Sequence, residues 1–181
     1  MINYVNGDAT YPERICPDGT KIIVHIVNDI GAWGKGFVLA LSKRWSNLKQ
    51  DYQSHYKAYS LGDIYVSRTS NKDIYVVDLF GQHGIKNSKP TIMDSIKKPQ
   101  KDADYLNHKE NINVEPIRYD AVREGLKKLK YRLESTSLEN VSIHMPKIGS
   151  GLAGGNWDIV EGIINNVFND FDIPIYVYNF R

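Results

Sequence analysis

Ile22-Ile23-Val24-His25-Ile26-Val27 is an apolar run, mostly β-branched, broken by a single histidine. A continuous run of this kind marks a strand buried on both faces, as in the middle of a parallel or mixed sheet. Ile74 to Phe80 repeats the pattern. Shorter strands are predicted at residues 2–6, 64–68, 141–145 and 173–180. Between them the period lengthens. Residues 37–44 read as a short helix and about 47–59 as a second. Val122, Leu126, Leu129 and Leu133 lie at helical spacing within 118–134. Ile159, Ile163, Ile164 and Val167 do the same within 157–168, a helix that Asn156 is placed to cap. Pro12, Pro17 and Gly19 make the segment up to Thr20 a loop with one helical turn, and Asn71-Lys72 marks a tight turn.

Strands that alternate with helices predict an α/β fold with a mostly parallel sheet and helices on both faces. In such sheets ligands bind beyond the carboxyl ends of the strands. Three glycine-bearing loops follow predicted strands: 28–36, 81–84 and 149–155. In the last, Gly149, Gly151, Gly154 and Gly155 allow backbone N–H groups to approach a ligand, and the following helix adds its unpaired N–H groups. A strand, glycine loop and helix in that order form an anion site, most often for phosphate. The polar stretch of about 86–115, with Pro90 and Pro99, has no sustained period and reads as a long inserted connection within a single domain covering 1–181.

Composition narrows the picture. A chain of 181 residues with 41% hydrophobic content can bury a full core. A net charge of +2 supplies no extended basic field for obligate nucleic-acid binding. The single cysteine, Cys16, excludes an internal disulfide framework, and His55 and His108 lack metal-site spacing, so no metal and no cofactor are expected. No apolar run approaches the ~20 residues of a membrane span, and no secretory signal is evident. A cytoplasmic monomer without a membrane partner is the expectation. His25 and His144, inside apolar runs, read as hydrogen-bonded core histidines, and Lys35, between glycines, as solvent-facing.

Taken together, Gly7-Asp8, Asn28-Asp29-x-Gly31-x-Trp33-Gly34-x-Gly36-Phe37 and Pro146-x-Ile148-Gly149-x-Gly151-Leu152-x-Gly154-Gly155-x-Trp157 resemble the macrodomain family. The similarity is nearest to the branch of terminal ADP-ribose protein glycohydrolase, yeast-type ADP-ribose phosphate phosphatase and bacterial ADP-ribosyl-glutamate hydrolases. The resemblance implies a three-layer α/β/α sandwich with a mixed, mostly parallel central sheet. It also implies ADP-ribose or an ADP-ribosylated protein as partner, with nucleic-acid-linked ADP-ribose a further candidate. By position, Asp8 and Ala9 match the adenine end. Trp33, Gly34, Gly36, Phe37 and Gly81 match the distal-ribose end. Ile148, Gly149, Ser150, Gly151, Leu152, Ala153 and Gly154 match the diphosphate loop, and Tyr178 and Phe180 the position of an aromatic against adenine.

The resemblance also brings out departures. The human-type glycohydrolase uses a lysine nucleophile and an aspartate after Gly-x-Gly-Leu. Here Ala153 holds the aspartate position, and Gln82 or His83 falls near that of the lysine, with Lys86 a further candidate. Direct hydrolysis is the alternative. Asn28 and Gln82 would orient ribose and water, and Asp29 or His83 would move the proton. The expected activity is hydrolysis of the ester between ADP-ribose and glutamate or aspartate, with deacetylation of O-acetyl-ADP-ribose alongside it. A non-catalytic ADP-ribose-binding module stays open, as does an ADP-ribose 1''-phosphate phosphatase, which the resemblance around His25 and Trp33 favours, since phosphatase-like members of the family carry a histidine at the position of His25.

Overall fold

The computed structural model describes residues 1–85 and 115–180. The predicted insertion at 86–115, apart from Glu115, lies outside them, as does Lys86. Six strands form one sheet: β1 (Ile2–Asn6), β2 (Lys21–Asn28), β3 (Ile64–Arg68), β4 (Ile74–Gln82), β5 (Ser142–Pro146) and β6 (Ile175–Asn179). Their order is β1-β6-β5-β2-β4-β3, parallel throughout except for β3, which runs antiparallel to β4. Four helices are described: α1 (Phe37–Arg44), α2 (Asn47–His55), α3 (Tyr119–Glu134) and α4 (Trp157–Val167). None is long and apolar enough to cross a membrane.

Strand alternation sorts side chains to two faces. Ile22, Val24, Val77, Leu79, Ile143, Met145, Ile175 and Val177 meet α3 and α4 through Val122, Leu126, Leu129, Val160, Ile163 and Ile164. Ile23, Val27, Ile74, Val76 and Phe80 meet α1, α2 and the loop before them through Leu41, Trp45, Leu48, Tyr52 and Trp33. Two cores back to back on one sheet make the expected three-layer α/β/α sandwich.

The second predicted helix is shorter than the pattern suggested. α2 ends at His55, and Tyr56–Ala58 continues as a 3-10 turn. His55 stacks on Tyr65 with centroids 4.4 Å apart, and Tyr59 stacks on Phe80 at 5.4 Å. These ring contacts draw the chain back onto the sheet before the helix can complete its length. At α4 the expected cap forms: the Asn156 side chain accepts a hydrogen bond from the Asp158 N–H at 2.8 Å.

The sheet opens where ligands are expected. β2 and β4 stay paired from Lys21↔Ile74 to Asn28↔Gln82, with a bulge that skips Gly81. Pairing of β2 with β5 stops at Ile23↔His144. Beyond that point β2 and β5 diverge. The chain also changes sides here, since α1 and α2 follow β2 on one face and α3 carries the chain to β5 across the other. A split at a topological switch point leaves a crevice at the carboxyl ends of the strands.

Candidate active-site cleft

A cleft of about 610 Å³ occupies this split. Its floor is His25, Ile26, Val27 and Asn28 at the end of β2, with Gln82 beside them. One wall is the loop into α1 (Ala32, Gly34, Lys35, Gly36, Phe37, Val38), and the other is the loop after β5 (Pro146, Lys147, Ile148, Gly149, Gly151, Leu152, Ala153). Thus Asn28, Gln82, Gly34, Gly36, Phe37, Ile148, Gly149, Gly151, Leu152 and Ala153 come together as expected from the sequence.

The glycine loop is built to present its backbone. Gly155 N–H donates to Gly149 O at 2.7 Å and Gly154 N–H to Gly151 O at 3.0 Å, so the loop folds on itself. Among the described residues, the N–H groups of Gly151, Leu152 and Ala153 donate to no protein acceptor. Gly149 adopts φ 74°, and a Cβ there would lie 2.5 Å from Ile117 Cδ1. Ile117 in turn donates its N–H to Ala153 O at 3.0 Å and packs beneath the loop. Unused N–H groups on a concave, glycine-rich wall are a site for an anion.

The floor holds a group that the sequence reading assigned to the core. His25 is 2% exposed, and its Nε2 lies 2.5 Å from Asp78 Oδ1 on neighbouring β4. Its Nδ1 is buried and has no hydrogen-bond partner among the described residues. Trp33 stands edge-on to the ring at 5.5 Å, and Phe37 lies 6.0 Å away. His25 is therefore buried and hydrogen-bonded as expected, yet it also lines the cleft. With Asp78 accepting from Nε2–H, a neutral ring would carry its lone pair at Nδ1, an arrangement compatible with a carboxylate-oriented base. The signal in the sequence was the same histidine, the one polar residue between Ile22 and Val27.

Several predicted site residues take other positions. Asp29 and His83 do not form the cleft wall. His83 Nδ1 lies 2.7 Å from Asp29 Oδ2, the two side chains are 0% and 2% exposed, and Asp29 Oδ1 accepts the Gly84 N–H at 2.9 Å. This buried pair fastens the end of β2 to the loop after β4. Trp33 packs under its loop: its indole N–H donates to Ser42 Oγ at 2.8 Å and its ring lies 5.3 Å from Tyr52. Asn28 lines the cleft, but its Oδ1 accepts from the N–H groups of Ile30 (3.1 Å) and Ala32 (3.0 Å), which shapes the loop. Tyr52 donates to Asn28 O at 2.6 Å; burial pushes its hydroxyl far above the usual phenol range, which keeps it a donor.

Asp8 and Ala9 lie at the end of β1, off the cleft wall. Asp8 Oδ1 accepts from Thr10 N–H (2.9 Å) and Thr10 Oγ1 (2.7 Å) in a turn, and Ala9 is buried. Gly81 is the bulge residue, packed against Val122. Ser150 and Gly154 stabilise the glycine loop from behind, Ser150 Oγ donating to Lys147 O at 2.6 Å. Tyr178 turns into the interior, where its hydroxyl lies 2.7 Å from His144 Nδ1. Tyr178 is 3% exposed. Phe180 is 74% exposed beside the end of β6. His144, held also by Ser142 Oγ at 2.8 Å, is a core histidine as read from the sequence; burial and then the Lys21 charge depress its pKa to about 4.

The chain is an α/β/α sandwich with a cleft at the split between β2 and β5, walled in part by unused backbone N–H groups. No family model matches the chain. A macrodomain protein from Streptomyces coelicolor superposes with a TM-score of 0.70 at 32% identity, over 99% of each chain. The chain belongs to the macrodomain family. Chromodomain-helicase-DNA-binding protein 1-like of Mus musculus is 30% identical over 183 residues, 99% of this chain but 18% of that protein, so the chain spans under a fifth of that relative's length. An ADP-ribose 1''-phosphate phosphatase of Debaryomyces hansenii is 26% identical across 98% of this chain and 99% of its own. ADP-ribose glycohydrolase OARD1 of Bos taurus is 25% identical across 98% of this chain and 90% of its own.

Proposed function

We propose that the cleft binds ADP-ribose and that the chain hydrolyses the ester joining its distal ribose to glutamate or aspartate side chains. The observation that supports this reading is the meeting in one crevice of His25, whose Nδ1 has no hydrogen-bond partner among the described residues, and the unused N–H groups of Gly151, Leu152 and Ala153 on the wall. The diphosphate sits against those N–H groups. The distal ribose then lies over His25, Asn28 and Gln82. His25 Nδ1 takes a proton from water as the hydroxyl oxygen bonds to the acyl carbon. Asp78 stabilises the imidazolium. The acyl–oxygen bond breaks, the proton returns to the departing ribose oxygen, and ADP-ribose and a free carboxylate result. Neither a lysine nor an aspartate at position 153 is needed, which suits Ala153. Positioning and one general base supply on the order of 10²–10⁴-fold for the proton transfer, on an ester already activated by its anomeric oxygen.

A second reading has its own support. His25 with Asp78 serves equally to activate water on the phosphorus of ADP-ribose 1''-phosphate, and the D. hansenii relative of matching length is a phosphatase for that compound. Parallel initial rates on a glutamate-linked mono-ADP-ribosylated protein and on ADP-ribose 1''-phosphate separate the two. The proposal expects free ADP-ribose from the protein at the higher kcat/KM. Phosphate release alone would replace it with the second reading, and no release from either would leave a binding module.

A further inference from the structure

The cleft's charge is one-sided. Among its described lining residues there are two lysines, Lys35 and Lys147, and no aspartate or glutamate. Neither lysine forms an ion pair with a described carboxylate. The nearest buried acids are already committed, Asp78 to His25 and Asp29 to His83. The two lysines stand on opposite walls. Lys147 opens the loop whose N–H groups await an anion. Lys35 belongs to the other loop, which starts at Asn28 and is held in place by the Asn28 amide. It stands between Gly34, whose Cβ would meet nothing within 4 Å, and Gly36, with φ 82°. Lys35 itself is exposed. An ammonium on a flexible stem is a point charge that can follow a phosphate's terminal oxygens.

We propose that Lys35 sets the charge preference for whatever is attached to the distal ribose, so that ribose substituents ending in an anion bind better than neutral ones. This rests on the reading that the cleft takes ADP-ribose with its distal ribose over His25. Lys147 acts on the diphosphate, which every such ligand shares, and so raises affinity without discriminating. Lys35 acts only on what differs. Its expected effect is about tenfold, the size of one charge-assisted contact in a partly solvated cleft. Because Lys35 is exposed, the preference fades as salt rises.

The test is displacement of a fluorescent ADP-ribose analogue by ADP-ribose and by ADP-ribose 1''-phosphate, read within seconds of mixing so that turnover is small. The quantity is the ratio of the two affinities. Wild type should favour the 1''-phosphate, K35Q should lower the ratio about tenfold, K35R should restore it, and K147Q should weaken both ligands with the ratio kept. An unchanged ratio in K35Q, or a ratio in wild type that ignores salt, overturns the role of Lys35. Failure of ADP-ribose itself to displace the analogue is a different result: it removes the underlying reading, and the Lys35 inference goes with it.

Discussion

His25 and His144 are one turn of physical reasoning apart. Both interrupt apolar strands, and both point to the same face of the sheet. His144 has each ring nitrogen hydrogen-bonded, to Ser142 and to Tyr178. His25 has Asp78 at one nitrogen and, among the described residues, no hydrogen-bond partner at the other. Two predictions follow from that difference. Asp78→Asn removes the carboxylate that accepts from His25 Nε2 and, on the proposed mechanism, holds the ring as base. It should lower kcat on the ester about 100-fold or more while ADP-ribose affinity, measured by calorimetry, stays within a few-fold. Loss of both together would mean that Asp78 only holds the fold. For His144, the folded pKa of about 4 lies below the ordinary 6.5. The unfolded chain binds the proton first as pH falls. Its contribution is thus complete above about pH 6.5 and is lost on acidification towards about pH 4, on the order of 3 kcal/mol in all. Urea unfolding of wild type and H144Q across that range should show a steeper acid loss in wild type; parallel curves would contradict the assignment.

At the level of elements, the glycine loop depends on contacts that a single methyl disrupts. A Cβ at Gly155 would lie 2.5 Å from Gly149 O and 2.6 Å from Ile117 Cδ1. Gly155→Ala should therefore displace the loop and weaken ADP-ribose binding at least tenfold, with the far-ultraviolet circular dichroism unchanged. Asn156→Ala, one residue on, removes the α4 cap and should cost about 1 kcal/mol of stability by denaturant unfolding. These elements were legible in the sequence because local rules govern them: β-branched runs for β2 and β4, helical spacing for α3 and α4, Asn156 for the cap. α2 was read too long because His55 and Tyr59 are held by rings on β3 and β4, contacts that no local pattern reports.

At the scale of the whole molecule, the cleft exists because β2 follows β4 to its end and leaves β5 after Ile23. Its location at the strand ends and its two glycine walls could be anticipated from the alternation of strands and helices. Its chemistry could be anticipated less well. Asp29 and His83 are 54 residues apart, and each follows a strand end, so the sequence suggested a shared site without showing that the two side chains bond each other. Asp78 sits 53 residues from His25 and looked like one more residue of a buried strand until register set them side by side. Tyr178 falls on the interior face by strand alternation, but only His144 across the sheet explains why its hydroxyl stays there.

The most direct measurement is a time course of ADP-ribose release when the wild-type chain is incubated with a protein carrying ADP-ribose on glutamate. The account predicts repeated turnover, with the glutamate side chain recovered as a free carboxylate. Tight, saturable binding of ADP-ribose with no release beyond the uncatalysed rate would contradict it.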